Sequence, residues 1–338
     1  TTHATARVAL VVFDLVDWGK VHFVAGFNDA DIRSFQWVTD ERLVFEVIDL
    51  EAGGAEQRFN AGLLSVKPDG SELRNLIELR REFVMPARTV GRDPLPWNHR
   101  LLHVPNDGSN EVIVGEFGFN AAGELRDIVP KRLNVVDGRA RSLAAGAPPD
   151  TRAWWFDAQG QPRVVLGSKS GRDHLYWKPT EAEAWQEVAS FDRYAAPFVP
   201  RFFDRAGDLY VTVSAGPQGY SELRKFDFTR RAPEREALVR TPGFDFRGSL
   251  VAETAGDRTL GVRLETDAET TYWFDSRLKA LQQEADAKLP GRINTLSCRR
   301  CGEADMVVLV HSYSDRDPGN YLVYRANNKS WQVVGVQR

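Results

Sequence analysis

The chain has 338 residues, 42% of them hydrophobic and 27% charged, a balance that supports a large buried core and excludes disordered and fibrous classes. Its formal net charge of −3 mixes both signs along the sequence, so no basic stripe can neutralise a run of phosphates and no nucleic-acid partner is expected. The longest apolar run, near Val8–Val12, is broken by Asp14 and Asp17, far short of the roughly 20 apolar residues of a bilayer span, and no membrane partner is expected either.

The first residues, Thr1 to Thr5, carry no basic stretch leading into an apolar one, so no signal peptide is read there. From Leu43 onward, short β-branched and aromatic runs recur: Leu43–Val47, Glu111–Val114, Arg163–Leu166, Asp208–Val213 and Tyr321–Tyr324. Tight-turn strings such as Pro68-Asp69-Gly70-Ser71, Gln159-Gly160-Gln161 and Arg205-Ala206-Gly207-Asp208 separate such runs and supply the Asx and left-handed glycine positions of antiparallel hairpins. Between them, residues 80–97 with Pro86, Pro94 and Pro96 read as an excursion between repeats, and Trp18 and Trp97 as candidate interface anchors. Adjacent Trp154 and Trp155 point to opposite faces, so both faces of their strand are expected to be covered.

Comparable units open near Ala153, Pro200, Gly248 and Arg292, a spacing of roughly 45 to 50 residues that matches one four-stranded propeller blade. The expectation is an all-β fold, a β-propeller of six or seven four-stranded blades, with residues 1–338 as a single domain. Ser276–Leu289 departs from it, because Leu278, Leu281, Ala285 and Leu289 fall at helical spacing. This predicts one short helix near 277–289, capped by Ser276 and stopped by Pro290-Gly291.

Catalytic motifs do not emerge, and no catalytic residue, metal ligand or cofactor is assigned. A serine hydrolase needs Gly-x-Ser-x-Gly at a strand-to-helix turn; Gly167-Ser168-Lys169-Ser170-Gly171 puts lysine at the elbow and lies in an expected hairpin. His311 neighbours Ser312 and Asp315, but strand alternation turns His311 and Ser312 to opposite faces. Asp315–Asn320 lacks the carboxylate positions of a calcium loop and reads as a strand-joining turn. The run Glu265–Thr271 reads as a solvated loop or as the lining of one mouth of the propeller. Cys298 and Cys301 offer two thiolates where structural zinc takes four ligands, and they read as a local disulfide or a reduced pair. Oxidation would favour a periplasmic or secreted location.

Five strings in order, Ile32–Phe45, Val66–Leu73, Leu260–Asp267 with Trp273-Phe274-Asp275, Leu289–Asn294 and His311–Gly319, resemble the N-terminal propeller of prolyl-oligopeptidase-type serine peptidases, especially the bacterial dipeptidyl aminopeptidase and acylaminoacyl-peptidase branch. The resemblance implies a substrate-gating domain acting on short peptides beside an α/β-hydrolase catalytic domain of the same parent chain, which would begin about where this sequence stops. Its first blade looks clipped, since Arg7–Leu15 resembles a later blade strand. By the same resemblance, Arg263 and Glu265 are candidate substrate-binding residues; His311, beside hydroxyls and a carboxylate, is a further candidate read from the residues themselves, with a core or rim role as the alternative. The alternative is an independent protein-binding propeller scaffold.

Overall fold

The computed structural model describes residues 7–14, 20–49, 62–78, 93–105, 107–253 and 258–336. Thr1–Thr5, Trp18 and most of the 80–97 excursion lie outside the described residues. The chain divides into two compact units, Thr1–Arg193 and Tyr194–Arg338.

In the first unit, β1 (Leu10–Phe13) and β2 (Val21–Ala25) make a two-stranded ribbon. Three four-stranded sheets follow: β3 (Asp31–Thr39), β4 (Arg42–Ile48), β5 (Gly62–Val66) and β6 (Arg74–Ile77); then β7 (His99–His103), β8 (Glu111–Phe119), β9 (Leu125–Asn134) and β10 (Ala140–Ser142); then β11 (Thr151–Phe156), β12 (Pro162–Lys169), β13 (Arg172–Trp177) and β14 (Gln186–Asp192). The second unit contributes a fourth sheet of β15 (Val199–Phe203), β16 (Leu209–Ser214), β17 (Ser221–Asp227) and β18 (Ala232–Pro233). Its fifth sheet has three strands, β19 (Gly248–Ala252), β20 (Thr259–Glu265) and β21 (Glu269–Trp273), followed by helix α1 (Ser276–Lys288). The sixth comprises β22 (Ile293–Arg299), β23 (Val307–Ser314), β24 (Asp317–Arg325) and β25 (Ser330–Val336). Every sheet is an antiparallel meander of sequence neighbours, and the fold is a six-bladed β-propeller.

The sequence dictates this stacking through its second strands. In β4, Leu43, Val44 and Phe45 are consecutive and all at most 1% exposed, although their side chains alternate between faces, so both faces of the sheet are covered. Leu43, Phe45 and Val47 pack against Leu10, Val24 and Ala25 of the ribbon. Val44 and Leu63 pack the other way, against Val112, Val114 and Leu133 of the second sheet. The Ser65 hydroxyl donates to Val135 O at 2.6 Å across that seam. Trp154 and Trp155 are both half-buried, and the Trp154 indole donates to Ile128 O at 2.7 Å, tying the third sheet to the second.

Local turn chemistry repeats with the blades. Between β11 and β12, the Asp157 carboxylate accepts the backbone N–H groups of Gln159 and Gln161, while Gly160 adopts φ +72°. Asp204 and Gly207 repeat the device between β15 and β16, where the Asp204 carboxylate accepts Asp208 N–H at 2.9 Å.

Helix α1 occupies the chain position where the other blades have a fourth strand. Its apolar stripe, Leu278, Leu281 and Ala285, is buried against Leu260 and Trp273 on one side and Leu296, Val308 and Val310 on the other. The cap differs from the expectation. Asp275, not Ser276, is the N-cap, with extended backbone and a carboxylate that accepts Arg277 N–H at 2.9 Å and Leu278 N–H at 3.1 Å. The helix ends at Leu289, whose N–H donates to Ala285 O. No helix among the described residues is long and apolar enough to cross a membrane.

Candidate functional site

Where β19, β20 and β21 meet β22 and β23, they enclose an open cleft of about 620 Å3. Its chemistry follows from strand periodicity. Arg263 and Glu265 are two residues apart on β20 and share a face. A turn of three residues, in which Thr266 N–H donates to Ala268 O at 3.2 Å, brings Glu269 directly opposite Glu265 in the ladder. Two carboxylates thus face each other across one hairpin, an arrangement that costs stability unless a cation intervenes.

Arg263 answers one of them. Its Nε lies 3.4 Å from Glu269 Oε1, and its Nη2 donates to Leu296 O at 2.8 Å on the neighbouring sheet. Tyr313 of β23 donates its hydroxyl to Glu269 Oε2 at 3.3 Å. Burial, with the Glu269 charge second, pushes the Tyr313 phenol above its ordinary value, so it stays a donor at neutral pH. Glu269 is therefore held by two groups, whereas the Glu265 side chain is exposed and, among the described residues, makes no hydrogen bond or ion pair.

Close backbone approach shapes the opening. A Cβ on Gly248 would collide with the carbonyl oxygen of Arg263, so only glycine lets β19 run this near β20. Just before it, exposed Arg247 overlooks the cleft, and Arg247, Glu265 and Thr266 also border an adjoining cavity of about 280 Å3 lined by Tyr220, Phe244 and Asp245. The whole presents the Glu265, Asp245 and Asp267 carboxylates, an arginine and two partly exposed aromatic rings to solvent. That set suits a small zwitterion with an apolar side chain.

The structure brings Arg263 and Glu265 together in this cleft. His311 stands one step away: its ring stacks on Tyr313 at 4.7 Å and on Tyr321 at 4.4 Å, and its Nε2 lies 3.2 Å from Pro318 O. It buttresses Tyr313 without lining the opening. Ser312 is fully buried on the opposite face, its hydroxyl accepting Arg292 Nε–H at 3.0 Å. Asp317 is likewise engaged, with Arg292 at 2.8 Å and Gly319 N–H at 2.9 Å. Ser170 and Gly171 of the Gly-rich string form the tip of the β12–β13 hairpin. Cys298 and Cys301 are joined as a disulfide with their Cα atoms 5.4 Å apart. Among the described residues, no three His, Cys, Asp or Glu side chains converge as a metal site. Tyr313, Arg247, Tyr220 and Phe244 escaped the sequence reading; the alternation of β23, which gives Tyr313 the face of His311, was the available signal for the first.

No family model and no curated protein matches the chain. Solved structures align with it. A puromycin hydrolase shares 13% identity over 98% of this chain and 50% of its own, with a TM-score of 0.48. The β-propeller domain of the trilobed protease from Pyrococcus furiosus shares 9% identity over 90% of this chain and 82% of its own, with a TM-score of 0.44. TolB from Acinetobacter baumannii shares 10% identity over 89% and 77%, with a TM-score of 0.39. The chain spans half the length of the puromycin hydrolase.

Proposed function

We propose that this propeller handles short peptides for a prolyl-oligopeptidase-type serine peptidase, on the dipeptidyl aminopeptidase rather than the acylaminoacyl-peptidase side of that branch, admitting them to an α/β-hydrolase catalytic domain of the same parent chain. The observation that carries the reading is the facing glutamate pair, in which Arg263 and Tyr313 engage Glu269 and leave Glu265 open. A peptide's terminal ammonium supplies the missing cation, and Tyr220 and Phe244 beside it receive the adjoining side chain. The ordered strings from Ile32 to Gly319 support the choice of family. The oxidised Cys298–Cys301 pair favours a periplasmic or secreted setting.

Titration calorimetry with an unblocked tripeptide and its N-acetylated form tests this. The free amine should bind at least about tenfold more tightly, the worth of one charge-assisted hydrogen bond, and Glu265→Gln should abolish the difference. Equal affinities for the two peptides would sink the reading. A second reading, a free-standing protein-binding propeller, is favoured by the outer face of the ribbon, where Val11, Phe13, Val21 and Phe23 are all more than 40% exposed. It predicts no dependence on the terminal amine.

A further inference from the structure

The Cys298–Cys301 bridge closes a short loop, Cys-Arg-Arg-Cys, and so restrains the unfolded chain little. Its consequence is therefore local. The loop ends β22 and holds Arg300 at φ +54°, a left-handed conformation that costs a side-chain-bearing residue energy. Directly after it, Gly302 O accepts the Arg277 guanidinium at 2.6 Å, and Arg277 lies in the first turn of α1. Cys301 itself is 2% exposed and packs in the same core as Leu278, Leu281, Ala285 and Met306. Cys298 is only partly buried. Cys301 is thus embedded in the seat of the helix, whereas Cys298, which packs against the same core, is the more exposed of the two residues.

We propose that this disulfide is a thiol-exchange site, attacked at Cys298, whose reduction loosens the docking of α1 between the fifth and sixth sheets. The reactant is a dithiol. One of its thiolates attacks Cys298 Sγ; the Sγ–Sγ bond breaks and its electron pair passes to Cys301, which takes up a proton. The second thiol of the reagent then displaces Cys298 from the mixed disulfide. Two electrons have moved from the dithiol, which leaves as a cyclic disulfide, to the two cysteines. Freed of the bridge, Arg300 relaxes from its left-handed conformation, Gly302 shifts, and the Arg277 anchor on the helix is lost.

The oxidised protein is treated with dithiothreitol under native conditions, amide hydrogen exchange is measured on the reduced protein, and a parallel sample is alkylated with iodoacetamide and weighed. Two alkylated cysteines are expected without denaturant, together with at least about tenfold faster exchange over 276–288 and 299–305 and no change over 107–193. The double variant Cys298→Ser/Cys301→Ser should show the fast exchange with no reductant. In single variants, the thiol left at 298 (Cys301→Ser) should alkylate faster than the thiol left at 301 (Cys298→Ser). Alkylation only after denaturation, a reduced protein whose α1 exchange is unchanged, or faster alkylation at 301 would each overturn the proposal. The wild-type measurement stands even if the double variant fails to fold.

Discussion

The seam between the first and second sheets and the seam between the fifth and sixth are built from the same antiparallel meander but filled in opposite ways. In the first unit, Val44, Leu63, Leu76, Val112, Val114 and Leu133 close the gap with aliphatic side chains, and the Ser65 hydroxyl crosses it. In the second unit, Leu296, Val308 and Val310 meet the helix rather than a flat strand face, and toward the β20–β21 tip the seam carries Arg263, Glu269 and Tyr313 and opens into the cleft. A blade left one strand short gives a helix room to wedge, and charged positions at the strand ends keep the neighbouring sheet from closing. The lesson is that the candidate cleft lies where stacking is relaxed.

The sharpest way to break this contrast is to truncate one apolar side chain in each seam. Leu63→Ala should cost about 2–5 kcal/mol, because a packed aliphatic wall cannot collapse around the void. Ile293→Ala, at the half-buried rim of the cleft, should cost less than about 1 kcal/mol, since water already reaches it. Chemical denaturation of both variants checks the difference, and similar losses would mean that the two seams are packed alike.

A titratable flaw in the tighter unit sharpens the comparison. His103 of β7 stacks on Phe156 at 5.9 Å, and its Nε2 is buried without a hydrogen-bond partner. Burial is the leading cause that pulls the His103 imidazolium below its ordinary pKa, and the same holds for His99, fully buried beside Lys131. A depressed folded-state pKa means that the unfolded chain binds more protons near pH 6. The stability from these neutral rings is complete above the unfolded value of about 6.5 and is lost as pH falls toward the lower folded values. Thermal unfolding between pH 7.5 and 5 should show a falling midpoint, and His103→Phe should flatten that slope while gaining up to about 1 kcal/mol at the acid end by removing the orphaned nitrogen. A slope unchanged in the variant would clear His103 of the effect.

How much of this was legible in sequence depends on range. Turn devices such as Asp157 with Gly160 act over four residues, so the blades could be read directly. The blade count could not, because β18 is two residues long, the fifth sheet gives its last strand position to a helix, and the ribbon β1–β2 stands apart from any four-stranded set. Helix α1 was visible in its leucine spacing, but its cap moved one residue because a carboxylate accepts two N–H groups where Ser276 accepts none. Arg263 and Glu265 were reached through the family resemblance, not through a local pattern in the strand. Tyr313 was not legible, since its bond to Glu269 spans 44 residues and exists only when two sheets meet.

The smallest effect isolates what that relaxed seam costs. Glu265 and Glu269 are directly opposed, and Arg263 neutralises only Glu269. Like charges in a cross-strand pair each cost roughly 0.2–1 kcal/mol, so Glu265→Gln should stabilise the chain by a few tenths of a kcal/mol, an effect that weakens as salt screens the pair. Glu269→Gln removes the same repulsion but also the negative charge that Arg263 pairs with and that the Tyr313 hydroxyl bonds to, and it should be neutral or destabilising. The two isosteric changes therefore differ in sign. Thermal unfolding at low and high salt separates them: a gain confined to position 265 identifies that carboxylate as the one kept at the expense of stability, whereas equal gains at both positions would mean that Arg263 holds neither.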